Sequence, residues 1–530
     1  MHSLTEQDIL DLLPKAPEGQ ADRWPGSAMA ILRGDDVQTM LCHGLASVEH
    51  RVAITDTTVF RIASVTKHFL CAAVVILADE GKLDIDAPLV TYLPGMQPIP
   101  GSATLRQAMT NTSGIRDHLE LWYIAGGGLQ VPHRLRDSIR LCERQEDTNF
   151  APGSSYLYSN ANFLLLSKIV EDAAGQSLAS FLDERFFTPL GMTRTALRAV
   201  HHEVVDDLAT PYTVRDKTML ERGRMTTEIW GEGAIQSCLK DLVTWARYVR
   251  ADPDGIIARL KEPAVYTSGV TGTYGLGLRS AAWRGMATVS HTGLWPGYLT
   301  EFLRFEDADV TLICLSNVNA LDPWTVHRKM AEKLFPEAPE PTSVTPDATA
   351  WAKVCEAGTW YNPKTLDWIR FAEVDAKPTM ATFGEPAPLI CPEPTLLAPG
   401  FDGSDYAGFD ISTAAQGTVT IRMCHGGTTP LVPLSSLPEG AARALLPGTW
   451  YCRETDSKLI IGSPDAGFPI DTPAYRGHDW TSTLLDGGML MIEDATGPWP
   501  RRFWLKAEAG DPDTLVMTGP RVRRLVFRRL

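Results

Sequence analysis

The sequence predicts a mixed α/β (α+β) domain followed by two small all-β barrel domains, over residues 1–338, 345–440 and 441–530. Three observations carry this. In the first part, strand-like segments stand at both ends with helical runs between them, the pattern of a layered α/β domain. Pro336-Glu337-Ala338-Pro339-Glu340-Pro341-Thr342-Ser343 then reads as a proline-rich linker. Beyond it, short alternating segments between turn residues replace helical periodicity. Within them Ala357-Gly358-Thr359-Trp360-Tyr361 recurs as Pro447-Gly448-Thr449-Trp450-Tyr451, which predicts two copies of one β module.

The elements follow in order. Met29–Leu32 and Gln38–Leu41 flank the turn Arg33-Gly34-Asp35-Asp36 and predict a hairpin. Thr58–Ile62 is a short strand leading into an almost wholly apolar helix that stops at Gly81. Thr104 caps a helix over 105–109, and residues 163–170 and 178–182 are helical runs. Tyr274–Leu278, Ala287–His291, Leu299–Leu303 and Val310–Leu315 read as strands, and Val326–Phe335 as a closing helix.

Composition bounds the function. A chain of 530 residues has room for roughly three domains of about 150. A net charge of -15 argues against nucleic acid, whose binding needs a clustered basic surface. The nine cysteines are scattered and lack a Cys-x-x-Cys pair, which predicts neither a disulfide framework nor a zinc site and fits a reducing compartment. Residues 1–8 lack a basic region followed by an apolar run, and the longest apolar run is too short to span a bilayer. The expectation is a cytoplasmic protein with no membrane partner.

The chemistry starts at Ser64-Val65-Thr66-Lys67, at the front of the apolar helix. Residues i and i+3 share a helical face, so serine hydroxyl and lysine amine can touch. A desolvated lysine has a lowered pKa and can take the serine proton. Taken alone, a helix cap and a surface lysine explain the tetrapeptide equally well, and a second Ser-x-x-Lys stands at Ser237-Cys238-Leu239-Lys240. Ser155-Tyr156-Leu157-Tyr158-Ser159-Asn160 holds the chain's lone Tyr-x-Asn. Tyr158 beside a lysine can be held partly as phenolate and act as general base, and Asn160 can hydrogen-bond both lysine and substrate. A third cluster, Ser290-His291-Thr292-Gly293-Leu294-Trp295, ends a strand, where a glycine lets a substrate backbone approach. His425-Gly426-Gly427 is similar but falls in the β region, and is set aside for that reason.

Ser64-x-x-Lys67, Tyr158-x-Asn160 and His291-Thr292-Gly293 resemble, in this order, the three motifs of the penicillin-recognising serine hydrolases. The branch is that of class C β-lactamases, D-Ala-D-Ala carboxypeptidases, related esterases and D-aminopeptidases. Thr110–Ile115 and Gly231–Ser237 also resemble family segments, which makes Ser237 structural. The likeness covers residues of about 20 to 335, and the two β modules beyond resemble the three-domain D-aminopeptidases. It implies a β-lactamase-like catalytic domain, with a helical subdomain beside an antiparallel sheet and the site between them. It implies catalysis by Ser64, Lys67 and Tyr158 through an acyl-enzyme. It also implies an oxyanion site between the backbone N–H groups of Ser64 and a residue near Trp295. Substrate-binding residues would be Asn160, His291, Thr292, Gly293 and Trp295. The substrate would be a small peptide, amide or ester with a D residue at the scissile bond, with no cofactor or metal. β-Lactams are expected as inhibitors or slow substrates, and a homodimer is compatible.

End recognition is divided. In the resembling carboxypeptidases an arginine at the place of Arg279 grips the substrate's terminal carboxylate, whereas the D-aminopeptidase pattern has a neutral amide there. The segment 492–500 reads as a loop leaning over the cleft, with Asp494 offering a carboxylate to a substrate amine, or equally as a surface turn. A D-Ala-D-Ala carboxypeptidase, a β-lactamase-like hydrolase or esterase, and a non-catalytic binding protein of the same fold stay open beside the D-aminopeptidase.

Overall fold

Alternation builds the central sheet. The structure, a computed structural model, describes residues 2–530 apart from 129–130, 201, 217, 364–367, 382–386, 400–405, 435–444, 474–479, 486–487, 495–500 and 509. Six antiparallel strands are β1 (Ser27–Arg33), β2 (Asp36–His43), β3 (Arg279–Trp283), β4 (Met286–Trp295), β5 (Tyr298–Phe305) and β6 (Val310–Ser316), in the order β3-β4-β5-β6-β1-β2. Successive strand residues point to opposite faces. Ala28, Ala30, Leu32, Phe302 and Ile313 accordingly meet the helical subdomain, while Met29, Ile31, Leu303 and Leu312 meet a second core. The helix Pro323–Leu334 closes that second core.

The helix Thr66–Asp79 runs through the first core with eleven of its fourteen residues buried. Each apolar side chain so buried contributes about 1.5–3 kcal/mol relative to exposure. The helix ends before Gly81, whose φ is +70°, as the sequence predicts. Thr104 caps Leu105–Met109 with a capping box to Gln107. One expectation fails: residues 274–278 form no strand, and β3 starts at Arg279. The reason is Gly277, at φ +78°, which lies so close to the buried helix that a Cβ would stand 2.5 Å from Cys71 Sγ. Among the described residues, no helix is long and apolar enough to cross a membrane.

Beyond residue 340 the chain is mostly β. A helix, Ala348–Ala357, precedes eight strands between Thr359 and Pro433 that close into a barrel. A second set of eight antiparallel strands spans Gly448–Arg529 in one sheet. The sequence echo marks equivalent places. Trp360 and Trp450 lie on the first strand of each module, almost fully buried. Their indole N–H groups donate to Val354 O at 3.1 Å and Leu446 O at 2.9 Å. The last module is not an appendage. Leu121, Trp122, Tyr123 and Ile124, from the catalytic domain's helix His118–Ile124, belong to the same apolar cluster as its core residues Trp450, Phe503 and Phe527.

Candidate active site

The nucleophile turn is built by crowding. Ser64 lies in a short 3-10 turn (Ala63–Val65) directly before the long helix, and Ala63 adopts the left-handed φ of +46°. Such strain in a non-glycine residue persists only where packing over-determines it. Here β4 supplies the packing. A Cβ on Gly293 would lie 2.2 Å from Ile62 O, so glycine is required for the strand to press against the turn. This differs from the expected reason for that glycine. It admits the protein's own backbone.

The turn places Ser64 Oγ between two groups, with Lys67 Nζ at 3.0 Å and the Tyr158 hydroxyl donating at 2.8 Å. Lys67 is buried and also donates to Asn160 Oδ1 at 3.1 Å and to Glu232 O at 2.5 Å. Both of these oxygens only accept. A neutral amine has two hydrogens, and these two acceptors take both, which leaves its lone pair toward Ser64. Burial lowers the Lys67 pKa, with Arg521 also lowering it, against Glu232 and Asp117. Burial likewise raises Tyr158 well above the ordinary phenol value, outweighing Ser64 and Arg521. The resting Tyr158 is therefore a neutral phenol, which corrects the expectation of a partly formed phenolate.

His291, on β4, is held neutral by burial. Its Nδ1 is 2.6 Å from Thr292 O, which can only accept, so that nitrogen carries the proton. Nε2 then accepts from the Tyr274 hydroxyl at 2.8 Å. Thr292, Trp295, Asn160 and Arg279 line the same cleft of about 480 Å³. Ser237 does not reach it. It is buried on a short strand, Ile235–Ser237, and shares a 2.7 Å hydrogen bond with Thr195. His425 is nearer than its place in the sequence suggests. It lines a narrow pocket beside Arg279 and Tyr274, adjoining the cleft without opening onto Ser64.

Asp494 is placed elsewhere. It ends the strand Met489–Asp494, is 1% exposed and accepts from the Tyr123 hydroxyl, away from the cleft lining. Residues 495–500 of the expected loop lie outside the described residues. The last module does reach the cleft, through Arg501 and Arg521. Arg501 pairs with Glu120 at 3.1 Å. Arg521 lies 3.7 Å from Asp117 and with its guanidinium 4.9 Å from the centre of the Tyr158 ring. Asp117 caps the helix His118–Ile124 and accepts from Asn160 N at 2.6 Å, so it also steadies Asn160. Sequence reasoning missed Asp117, Glu232, Tyr274, Arg501 and Arg521. None sits in a local motif with Ser64, and no signal short of the fold joins them.

The comparisons with known proteins agree with this geometry. The Beta-lactamase family model matches residues 15–333. The chain is 29% identical over 491 residues to a D-aminopeptidase of Gluconobacter oxydans (strain 621H), across 88% of this chain and 86% of that protein. It is 29% identical over 455 residues to a D-aminopeptidase of Brucella canis, across 83% and 81%. Among solved structures it resembles the octameric penicillin-binding protein homologue from Pyrococcus abyssi, with TM-score 0.55 and 21% identity over 81% of this chain and 98% of that one. SurE matches with TM-score 0.53 and 21% identity over 80% and 97%. The two structural likenesses speak for the fold alone. With the family match spanning most of the chain and Ser64, Lys67 and Tyr158 in contact where the three motifs converge, the protein belongs to the beta-lactamase family.

Proposed function

We propose that this protein is a D-aminopeptidase-like serine hydrolase, acting through an acyl-enzyme on short peptides, amides or esters with a D residue at the scissile bond. The single observation that carries the chemistry is the Lys67 amine, its two acceptors filled and its third contact Ser64 Oγ. Lys67 takes the Ser64 proton as Oγ bonds to the substrate carbonyl carbon. The oxyanion is met by the backbone N–H groups of Ser64 and of a residue near Trp295 on β4. Collapse breaks the bond to the leaving nitrogen, which takes a proton from Tyr158. Water then cleaves the ester, its proton restoring the Tyr158 hydroxyl while Lys67 returns its proton to Ser64 Oγ. The D preference rests on the relatives, whose likeness covers 88% and 83% of this chain and so runs beyond the catalytic domain. A screen of D- and L-amino acid amides is expected to give D over L by at least about tenfold in kcat/KM, a modest difference of about 1.4 kcal/mol between transition states. Equal rates on both would sink the D-specific reading while leaving the hydrolase.

Arg279 lines the cleft, and among the described residues no carboxylate pairs with it. Its guanidinium cannot lose its charge and is suited to a carboxylate. Arg279→Asn is expected to reduce activity on peptides ending in a free D residue by roughly ten- to a hundredfold, the scale of a charge-assisted hydrogen bond. D-Amino acid amides should be spared or improved. An equal loss on both would mean that Arg279 shapes the site and does not choose the substrate.

A further inference from the structure

We propose that Arg521, carried into the cleft by a hairpin of the last β module, is a specificity residue that binds a carboxylate on the leaving group, so that short peptides with a free C-terminus are preferred to their amides. The inference rests on the D-peptide hydrolase reading above and adds the charge of the part that leaves.

The hairpin is held where it is by the catalytic domain. Its strands are Asp511–Gly519 and Val522–Arg529, with Gly519 opposite Val522 across Pro520-Arg521. Proline at the first turn position presets the backbone. Asn149 grips the tip on both sides, donating to Arg521 O at 3.1 Å and accepting from Arg523 N at 2.7 Å. Buried Arg116 donates to Arg523 O at 3.3 and 3.4 Å while pairing with Glu454. These contacts fix the Arg521 backbone, so its side chain reaches the cleft without having to organise the turn.

The guanidinium has unused donors. Its nearest carboxylate, Asp117, accepts from Leu119 N, Glu120 N and Asn160 N. At 3.7 Å, Arg521 meets Asp117 as a charge and not as a hydrogen-bond donor. Its side chain is 38% exposed, and among the described residues it donates no hydrogen bond. The other cleft charges are matched: Arg501 by Glu120 and Arg328 by Glu301, at 3.1 and 3.2 Å. Of the two acids lining the cleft, Glu301 is thus taken, and burial pushes the Glu232 carboxyl up toward its neutral form. Of the four arginines lining the cleft, Arg279 alone has no carboxylate facing it among the described residues, while Arg521 faces Asp117 as a charge with its N–H donors unused. In a chain of net charge -15 this local excess of positive charge is not general basicity. Residues 495–500, Ala-Thr-Gly-Pro-Trp-Pro, contain no acid to offset it.

Position decides which part of the substrate Arg521 meets. The leaving nitrogen must come to the Tyr158 hydroxyl to take its proton. In an amino acid leaving group the carboxylate oxygens lie roughly 3 Å from that nitrogen. Arg521 lies over the face of the same tyrosine ring. A carboxylate there would receive a forked pair of N–H donors, which a carboxamide receives less strongly.

The test uses the full chain with D-alanyl-glycine and D-alanyl-glycinamide, which differ at that one group. The wild type is expected to favour the acid. In Arg521→Gln the acid-to-amide ratio of kcat/KM should fall about tenfold, mostly through KM on the acid, and Arg521→Lys should restore part of it by keeping the charge without the fork. An unchanged ratio in Arg521→Gln overturns the proposal, because a residue that only steadies Tyr158 or the domain contact lowers both substrates together. Should the wild type cleave neither peptide, it is the D-peptide reading that fails. Arg521 is then judged by competitive inhibition of nitrophenyl ester hydrolysis by the same acid and amide. Arg521→Gln must narrow the ratio of inhibition constants, and a ratio left as in the wild type again overturns it.

Discussion

Ser64→Ala is expected to reduce turnover by about four orders of magnitude or more, the scale on which removal of a serine nucleophile is felt when its partners cannot act without it. The fold should survive. The substitution removes one hydroxyl that touches Lys67 Nζ and accepts from Tyr158, and the packing of the turn depends on Ile62, Ala63 and Gly293 instead. Loss of such hydrogen bonds costs up to about 2 kcal/mol in a protein whose cores are otherwise intact. Turnover of a nitrophenyl ester, the mass of the trapped acyl-enzyme and the melting temperature measure the three parts of this expectation. Ser237→Ala is the matched control: its hydroxyl is buried against Thr195, so it should retain near wild-type turnover. A reversal of the two variants would assign the nucleophile to the wrong Ser-x-x-Lys.

Lys67→Ala should cost about a hundred- to ten-thousandfold in acylation, the range for a positioned acid–base group. The sharper expectation concerns pH. Burial lowers the Lys67 pKa below that of an ordinary lysine, and the working form is the unprotonated amine. Protonation fills the lone pair that faces Ser64. The acylation rate is therefore retained above the depressed pKa and lost as pH falls through it. Lys67→Arg keeps a cation but cannot deprotonate, so it should be inactive at every pH tested. Single-turnover acylation across the pH range reads this directly. A Lys67→Arg enzyme with the wild-type profile would remove Lys67 from the proton path.

The stability consequence has the same origin. Lys67 binds its proton less tightly in the folded protein than in the unfolded chain. Between the depressed pKa and the ordinary lysine value, the unfolded chain binds more protons, so this group's contribution makes stability rise with pH across that window. Below it, Lys67 is a charge held in an apolar core beside Phe163. A dry lysine is what lets the amine act as a base, and the cost appears as lost stability.

What the sequence determined by itself is what short-range geometry determines. Ser64 and Lys67 meet because three residues are about one helical turn, and the strand faces follow from a two-residue period that separates Ala28 from Met29. The motifs Tyr158-x-Asn160 and His291-Thr292-Gly293 carried the family and the cleft, and the Trp360 and Trp450 echo carried the two modules. Tertiary structure alone decided the rest. The Tyr158 protonation state depends on burial, which no spacing records. Gly277 ends a strand-like run because a helix far earlier in the chain, at Cys71, lies against it. Asp494 faces Tyr123, while Arg521 faces Tyr158, although both belong to the last module and either could have been aimed at the substrate. Which one reaches the cleft was settled by how Arg116 and Asn149 grip a hairpin tip 407 and 374 residues away. Contacts of that separation form only when whole domains pack. Their specificity lies in the fit of two surfaces, and neither surface is written in any one stretch of chain.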